Sequence, residues 1–256
     1  MTERVDYDRI AADYDTRYAR NDYSGIEAAL VAFAAGAPTA CARILEVGCG
    51  TGHWLRVLRR AGADAAGCDL STEMLAVARG RDREARLVRA RAEALPCRST
   101  SWDRVFCVNA LHHFSDPAAF FLEARRLLRP GGGVMTIGLD PHSGRDRWWI
   151  YDYFPTALAR DRQRYLAAGR IRELLERSGF SRCDTREVQH LPARMTVAEA
   201  ASRGFLNRTS TSQLLVISRD EFEAGMRRIH GPLTEGEGER MLCADLHVYA
   251  TTAWAT

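Results

Sequence analysis

The sequence contains no lysine, so all 36 of its basic residues are arginine. Because 33 residues are acidic, the formal net charge is only +3. Proteins that bind nucleic acid through its phosphates carry a larger or more concentrated excess of positive charge. The charge balance therefore predicts that nucleic acid is not a partner of this protein.

Long apolar runs are also missing. No stretch approaches the roughly 18 residues that a transmembrane helix needs. The N-terminal sequence MTERVDYDRI is charged and lacks the apolar core of a signal peptide. We therefore expect a cytoplasmic protein that does not associate with membranes.

Features that would indicate a metal are scarce as well. The seven cysteines include no C-x-x-C pair, and no group of cysteines and histidines has the spacing of a zinc site. A divalent cation at the end of a strand would need several carboxylates, and Asp140 alone does not supply them. We therefore expect free thiols and no bound metal ion.

What the sequence does contain is an alternation of strand and helix patterns. With 256 residues and 46% hydrophobic content, the chain can bury one large core. From residue 43 onward, short apolar runs alternate with helical stripes, which is typical of an α/β fold with a mainly parallel sheet. The expected strands cover residues 44–47, 63–69, 86–88, 104–108, 134–139, 181–190 and 246–252. Residues 192–243 are predicted to be mainly helical.

A glycine-rich turn in the segment RILEVGCGTGHW is the most informative feature. Gly48 and Gly50 carry no Cβ and tolerate positive φ, so the backbone of this turn can approach a ligand closely. The spacing is E-x-G-x-G-x-G, whereas a dinucleotide turn is spaced G-x-G-x-x-G, and His53 replaces its third glycine. Glu46 at the mouth of the strand favours a cation or a hydroxyl and would repel a pyrophosphate.

Asp69 ends the second apolar run, 21 residues after Gly48. A carboxylate at this place accepts hydrogen bonds from both hydroxyls of a ribose, in either class of cofactor. Since Glu46 disfavours a pyrophosphate, the two acids together indicate a nucleoside that carries an amino-acid tail.

At this point the chain resembles the class I S-adenosylmethionine-dependent methyltransferases. Six segments in the order of that family carry the resemblance: YDRIAADYD (7–15), ILEVGCGTGHW (44–54), GCDLSTEML (67–75), RAEALP (91–96), VNALHHF (108–114) and LLRPGG (127–132). The resemblance implies a Rossmann-like α/β fold with a doubly wound, seven-stranded, mainly parallel sheet and an inserted helical cap. It implies one domain over residues 1–256, with an N-terminal helical lid (1–42), a cofactor-binding core (43–140) and substrate-side cap insertions (141–168 and 191–245).

The resemblance implies S-adenosylmethionine as cofactor and gives a role to each candidate residue. Glu46 and the turn at Gly48, Cys49 and Gly50 would hold the methionine tail and its ammonium group. Asn109, which ends the fourth strand, would present its carbonyl to the same ammonium.

The ribose and adenine would be bound by a second group of residues. Asp69 would accept hydrogen bonds from the ribose hydroxyls. Leu70 and Met74 would flank the adenine, although the helical spacing of Met74 equally suits a core position. Ala92 and Glu93 would meet the polar edge of the adenine, unless Glu93 is simply exposed.

Tyr14 would close over the cofactor. Alternatively, it would pack an amphipathic helix against the sheet without contacting the cofactor. His112 and His113 follow the fourth strand, near the expected position of the transferable methyl group. Either histidine could act as a base if the acceptor must lose a proton. A structural role that shapes the site is an equal alternative.

The sequence thus predicts methyl transfer to a small-molecule acceptor by a monomer or homodimer, in a pathway of specialised metabolism. Two alternatives stay open, a non-methylating reaction on the same fold and cofactor, and a nicotinamide-dependent oxidoreductase. Five aromatic residues would either wall an acceptor pocket or pack the cap against the sheet: Trp148, Trp149, Tyr151, Tyr153 and Phe154.

Overall fold

The computed structural model describes residues 10–11, 14–37, 42–232 and 239–256. Within these ranges the chain forms one sheet of eight strands: β1 (Arg43–Val47), β2 (Asp64–Asp69), β3 (Arg86–Arg89), β4 (Trp102–Val108), β5 (Leu128–Leu139), β6 (Arg147–Trp148), β7 (Phe180–Thr196) and β8 (Met241–Ala255). The order across the sheet is β3-β2-β1-β4-β5-β8, and β7 pairs with the other side of β8. Strands β1 to β5 pair in parallel, whereas β8 is antiparallel to β5, β6 and β7.

The doubly wound, mainly parallel sheet predicted from the sequence is confirmed, with two differences of extent. There are eight strands within the described ranges, and not seven, because β6 adds a two-residue pairing to Ala244 and Asp245. Strand β7 continues to residue 196 and β8 begins at residue 241, where helix was expected. Pro192 is tolerated in β7 because this strand pairs with β8 alone in the described chain, so no second neighbour needs its missing N–H.

Eleven α-helices lie in the described ranges: α1 (Thr16–Arg20), α2 (Ser24–Ala35), α3 (His53–Arg60), α4 (Thr72–Arg81), α5 (Pro117–Leu127), α6 (Trp149–Tyr153), α7 (Ala157–Arg164), α8 (Ala168–Arg177), α9 (Val197–Ser202), α10 (Ser212–Leu215) and α11 (Arg219–His230). Their ends follow local chemistry. The Ser71 hydroxyl accepts a hydrogen bond from the N–H of Met74 at 3.0 Å and so caps α4. The Asp116 side chain caps α5, whose first residue is Pro117.

Helices cover both faces of the sheet. On one face, Phe120 of α5 and Leu175 of α8 are fully buried against β4 and β5. On the other face, Leu30 of α2 and Leu55 of α3 are 1% exposed. Helix α2 therefore belongs to the core, although it falls within the 1–42 lid expected from the sequence. The division of the chain into lid, core and cap stays a prediction.

A separate hydrophobic core lies among the segments that the sequence predicts to form a cap, and it is built by α6, α7, α9, α10 and α11 with the outer ends of β7 and β8. Trp149 and Phe154 lie in this core at 3% and 0% exposure. The other three aromatic residues of the 148–154 cluster pack against it. These side chains therefore hold the cap together. None of the described helices combines the length and the apolar character needed to cross a membrane.

Candidate active site

A cavity of about 670 Å³ opens at the carboxyl ends of β1, β2 and β4. This is where open α/β sheets bind their ligands. Eleven of the thirteen candidate residues line it: Tyr14, Gly48, Gly50, Asp69, Leu70, Met74, Ala92, Glu93, Asn109, His112 and His113. Glu46 and Cys49 do not line this cavity in the described structure.

The glycine turn between β1 and α3 forms the floor of the cavity. Gly48 has a φ of +75°, and a Cβ at this position would lie 2.6 Å from the Cβ of Ala110. The N–H groups of Gly48 and Cys49 both donate to the carbonyl of Cys68, at 2.8 and 2.9 Å. The turn is therefore tied to β2, and a side chain at Gly48 would force the backbone away from β4.

Asp69 connects the glycine turn to α4. Its Oδ2 accepts a hydrogen bond from the N–H of Gly50 at 2.8 Å, and its Oδ1 accepts one from the N–H of Ser71 at 2.9 Å. An ionised carboxylate accepts hydrogen bonds at both of its oxygens, through about four lone-pair sites. A carboxylate at the end of β2 is therefore the type of group that hydroxyl groups of a ligand can donate to.

Glu46 lies behind the turn and is only 1% exposed. The N–H of Leu55 donates to this carboxyl group, while its Oε2 has no hydrogen-bond partner among the described residues. Burial, followed by the nearby negative charge of Asp69, raises the pKa of Glu46 well above its usual value. Because Glu46 does not line the cavity, its expected contact with the ammonium group stays a prediction. A cation bound in the cavity would favour the ionised form of this carboxyl group.

Cys49 is displaced from the cavity for a related reason. Its side chain is 5% exposed and packs among the apolar residues between α3 and the sheet. Burial is the largest cause that raises the pKa of the Cys49 thiol. The backbone of Cys49 thus belongs to the turn, whereas its side chain belongs to the core.

The expected adenine wall consists of residues with different exposure. Met74 is 2% exposed and packs with Ile10 and Ala11, whereas Leu70 is 48% exposed. Glu93 is neither free nor simply exposed, because its Oε1 accepts hydrogen bonds from the N–H groups of Ser115 and Asp116, at 2.7 and 3.1 Å. Glu93 thus joins the segment after β3 to the start of α5.

Asn109 and Tyr14 both line the cavity. Asn109 has a φ of +50°, which is uncommon for a residue other than glycine and best tolerated by asparagine and aspartate. Its N–H donates to the carbonyl of Ile137 at 2.8 Å, so this conformation is held by β5. The Tyr14 ring lies under the guanidinium of Arg17, which also donates to the Tyr14 hydroxyl.

His112 and His113 form a single 3₁₀ turn after β4. The ring of His112 stacks on Tyr165 with a centroid distance of 3.8 Å, and its Nε2 has no hydrogen-bond partner among the described residues. Desolvation, followed by nearby positive groups, lowers the pKa of His112 well below its usual value and that of His113 to about 3. Both rings are therefore neutral at neutral pH and are weak bases.

Arg164 of α7 also lines the cavity, and sequence reasoning did not identify it. Its side chain is 8% exposed, and its Nη2 donates to Asp161 Oδ1 at 2.6 Å. In the described chain, its Nε and Nη1 have no hydrogen-bond partner. The Tyr151 hydroxyl donates to the other oxygen of Asp161 at 2.8 Å. Nothing in the sequence around Arg164 distinguishes it from the other arginines among the 36 basic residues. Only the fold shows that this arginine is buried at the site.

Known proteins resemble this chain first in its central segment. A methyltransferase domain family matches residues 45–136. The ubiquinone biosynthesis O-methyltransferase of Methylococcus capsulatus is 40% identical over 97 residues, which cover 36% of this chain and 41% of that protein. The chain spans about two fifths of the length of the first curated relatives that it matches.

Solved structures share the fold over most of the chain. A protein of Anabaena variabilis, described as a methyltransferase from an antibiotic biosynthesis pathway, superimposes with a TM-score of 0.68 and 21% identity, covering 89% of this chain and 96% of the other. Phosphoethanolamine N-methyltransferase 2 of Haemonchus contortus, in complex with S-adenosylmethionine, gives a TM-score of 0.62 and 21% identity, covering 97% of this chain and 57% of the other.

The matched segment contains the glycine turn, Asp69, Asn109 and the two histidines, all of which belong to the same cavity region. The resemblance stated from the sequence is therefore confirmed. The central segment of this chain, residues 45–136, thus matches a methyltransferase domain family, in agreement with the resemblance to the class I S-adenosylmethionine-dependent methyltransferases. S-Adenosylmethionine is the cofactor of that family.

Proposed function

We propose that this protein transfers a methyl group from S-adenosylmethionine to a small-molecule acceptor. The observation that supports this most is that two kinds of wall meet in one cavity of about 670 Å³. The glycine turn, Asp69 and Asn109 form one wall. His112, His113 and Arg164 form the other. A donor and an acceptor can therefore lie side by side in one enclosed space.

The residues of the first wall fit the cofactor. The absence of a Cβ at Gly48 allows the turn to lie close to Ala110, directly after Asn109. The Asp69 carboxylate is held at the end of β2 by hydrogen bonds from the N–H groups of Gly50 and Ser71, and in this proposal it accepts hydrogen bonds from the ribose hydroxyls. A cation bound near the buried carboxyl of Glu46 would favour the ionised form of this group, whereas a diphosphate would disfavour it. In this proposal Leu70 and Met74 flank the adenine, and Tyr14 closes the site.

S-Adenosylmethionine supplies a methyl group that is already activated, so transfer requires placement of the acceptor in line and exclusion of water more than acid–base chemistry. His112 and His113, being neutral, can accept a hydrogen bond from an acceptor O–H or N–H and so orient its lone pair. Because the pKa of each histidine is lowered, neither ring readily takes a proton from the acceptor unless the bound acceptor raises that pKa. We therefore propose that the two histidines position the acceptor.

The identity of the pathway is a further part of this proposal. The names of the curated relatives concern small-molecule biosynthesis, and the Anabaena protein is described in an antibiotic pathway. On that support we propose an acceptor from specialised metabolism, methylated in the cytoplasm by a monomer or homodimer. Analytical ultracentrifugation of the full chain checks the oligomeric state.

Calorimetry with the purified full-length protein tests the cofactor. We expect S-adenosylmethionine and its demethylated product S-adenosylhomocysteine to bind, and NADH to give no heat. Binding of NADH without binding of either sulfur nucleoside would overturn the proposal and favour an oxidoreductase.

Mass spectrometry of the products tests the reaction. Acceptor candidates are incubated with enzyme and S-adenosylmethionine, and release of S-adenosylhomocysteine identifies a turned-over acceptor. A product heavier by one methylene unit is the expected result. A product of unchanged or reduced mass, without release of S-adenosylhomocysteine, would support the non-methylating alternative.

A further inference from the structure

Two histidines and an aspartate meet on the β7–β8 pair, and none of the three lines the cavity described above. His190 of β7 is the direct partner of His247 of β8. Asp245 precedes His247 by two residues, so both side chains leave β8 on the same face. Directly opposed positions on antiparallel strands have Cβ atoms about 4.5–5.5 Å apart, which brings the three side chains together.

The distances between their polar atoms are those of a loose set of metal ligands. His190 Nε2 lies 2.5 Å from Asp245 Oδ1, and His247 Nε2 lies 3.9 Å from the same oxygen. One ligand atom from each residue can be taken such that all lie within 4.8 Å of one another. Ligands of a tetrahedral zinc ion are roughly 3.4 Å apart, since each bond is about 2.0–2.2 Å long. Shifts of about 1 Å in exposed side chains would therefore produce the required geometry.

Glu187 supports one of these ligands from behind. Its Oε2 lies 3.2 Å from His247 Nδ1, and this contact leaves His247 Nε2 on the side of Asp245. Metal-bound histidines commonly donate their second N–H to a carboxylate, which fixes the tautomer and the ring orientation.

Two cations lie nearby. Arg145 donates to Glu187 at 2.8 Å and to the Tyr249 hydroxyl at 2.9 Å, and its Nη2 lies 3.3 Å from His247 Nδ1. Arg147 of β6 is the strand partner of Asp245, and its positive charge acts on that carboxylate.

The cluster is open on one side. The side chains of His190 and Asp245 are 47% and 49% exposed, whereas that of His247 is 11% exposed. An ion can therefore enter from solvent and keep a water molecule as its fourth ligand, while the His247 side is held by the protein.

We propose that His190, Asp245 and His247 bind a divalent transition-metal ion such as Zn²⁺. Two imidazoles and one carboxylate favour Zn²⁺, Ni²⁺ or Cu²⁺ over Ca²⁺ and Mg²⁺, which prefer sites made wholly of oxygen. The ion would join β7 to β8 beyond the end of β5, at the base of the cap. This assignment differs from the absence of metal that the sequence led us to expect, because 55 residues separate His190 from Asp245 along the chain.

Metal titration of the full-length, chelator-treated protein tests the proposal. Zn²⁺ is titrated in competition with a chromophoric chelator, and thermal unfolding is followed with and without the ion. We expect saturable one-to-one binding and a higher melting temperature with Zn²⁺. His190→Asn and Asp245→Asn replace half-exposed side chains and should each weaken binding by about tenfold or more, with no rise in melting temperature.

Two control variants make the result specific. His230→Asn removes an exposed histidine at the end of α11, and Cys243→Ser removes an exposed thiol of β8. Both should bind Zn²⁺ as the unmodified protein does. With Co²⁺, we expect a visible spectrum that lacks the intense near-ultraviolet band of thiolate ligands. Absence of saturable binding, equal binding by His190→Asn, or loss of binding in Cys243→Ser would overturn the assignment.

Discussion

The Asp69 carboxylate accepts a hydrogen bond from the backbone N–H of Gly50 at 2.8 Å. The acid at the end of β2 therefore holds the turn that follows β1. Because the same carboxylate is the proposed ribose acceptor, the shape of the turn and the binding of the cofactor depend on one side chain.

Replacement of Asp69 by asparagine should weaken binding of S-adenosylhomocysteine. The amide offers one acceptor oxygen where the carboxylate offers two, so a backbone N–H or a ribose hydroxyl is left without a partner. We expect a loss of about 1–3 kcal/mol in binding free energy by calorimetry. Asp64→Asn, at the exposed start of the same strand, should leave the affinity unchanged. Equal affinities of the two variants would show that the ribose is not bound by Asp69.

Replacement of Gly48 by alanine should damage both folding and binding. Gly48 and Gly62 have φ values of +75° and +87°, but an added Cβ would contact Ala110 at 2.6 Å in the first case and nothing within 4 Å in the second. Gly62→Ala should therefore lose only the backbone strain, about 1 kcal/mol. Gly48→Ala should lose more stability in urea unfolding and bind S-adenosylhomocysteine poorly. The double variant Gly48→Ala/Ala110→Gly should recover part of both losses. Equal stabilities of the two single variants would contradict the close approach.

The buried pair of Asp161 and Arg164 should contribute far more to stability than an exposed pair of the same spacing. Asp161 and Arg164 are 0% and 8% exposed at a distance of 2.6 Å, whereas Arg170 and Glu173 are 47% and 42% exposed at 2.5 Å. Arg164→Leu leaves a buried carboxylate without its cation, so we expect a loss of about 3–5 kcal/mol in urea unfolding. Arg170→Leu should lose no more than about 1 kcal/mol.

The double variant Asp161→Leu/Arg164→Leu separates charge from packing. It removes both charges, so it should be more stable than Arg164→Leu alone. A double variant that is less stable than Arg164→Leu would mean that Asp161 stabilises the fold through Tyr151 and not through the arginine.

His113 should make the protein less stable in mild acid. Its pKa is lowered from 6.5 to about 3 in the folded state, so between these values the unfolded chain binds a proton that the folded chain does not. The free energy of unfolding is then greatest above pH 6.5 and falls as the pH decreases, by up to about 1.4 kcal/mol per pH unit for one such group. Burial lowers the pKa of His112 as well, and this acts in the same direction.

Urea unfolding between pH 7.5 and 5 checks this dependence. His113→Gln should show a shallower decline than the unmodified protein, because glutamine does not titrate. His230→Gln, at an exposed position, should keep the original slope. Glu46, whose pKa burial raises, acts in the opposite direction, but it is present in all three proteins. Identical slopes for the His113 and His230 variants would show that His113 is not shielded in the folded state.

Local patterns were sufficient to predict most of the cavity. Gly48, Asp69 and Asn109 each follow a short apolar strand, and the carboxyl ends of parallel strands meet at one edge of a sheet. Their position in sequence therefore already determines that they lie close together. The roles of these residues stay proposals until a ligand is observed.

The direction of a side chain at the turn could not be predicted in the same way. Glu46 and Cys49 belong to the same motif, yet both side chains lie behind the turn, under α3. The motif predicts which residues lie near the expected ligand. The packing of α3 on β1 determines which of their side chains point toward the cavity. The outer half of β7 could not be predicted either, because Pro192 and the polar residues around it lack the strong apolar pattern of a central strand.

The sequence by itself determined the α/β class, the glycine turn and the resemblance to a family, because each depends on short segments with a local pattern and on their order along the chain. Only the tertiary structure brought Arg164 to the cavity and paired His190 with His247. Those contacts join residues that are far apart along the chain. Strand register and the packing of the helices create these contacts, and neither produces a repeating pattern of apolar residues that could be recognised in the sequence.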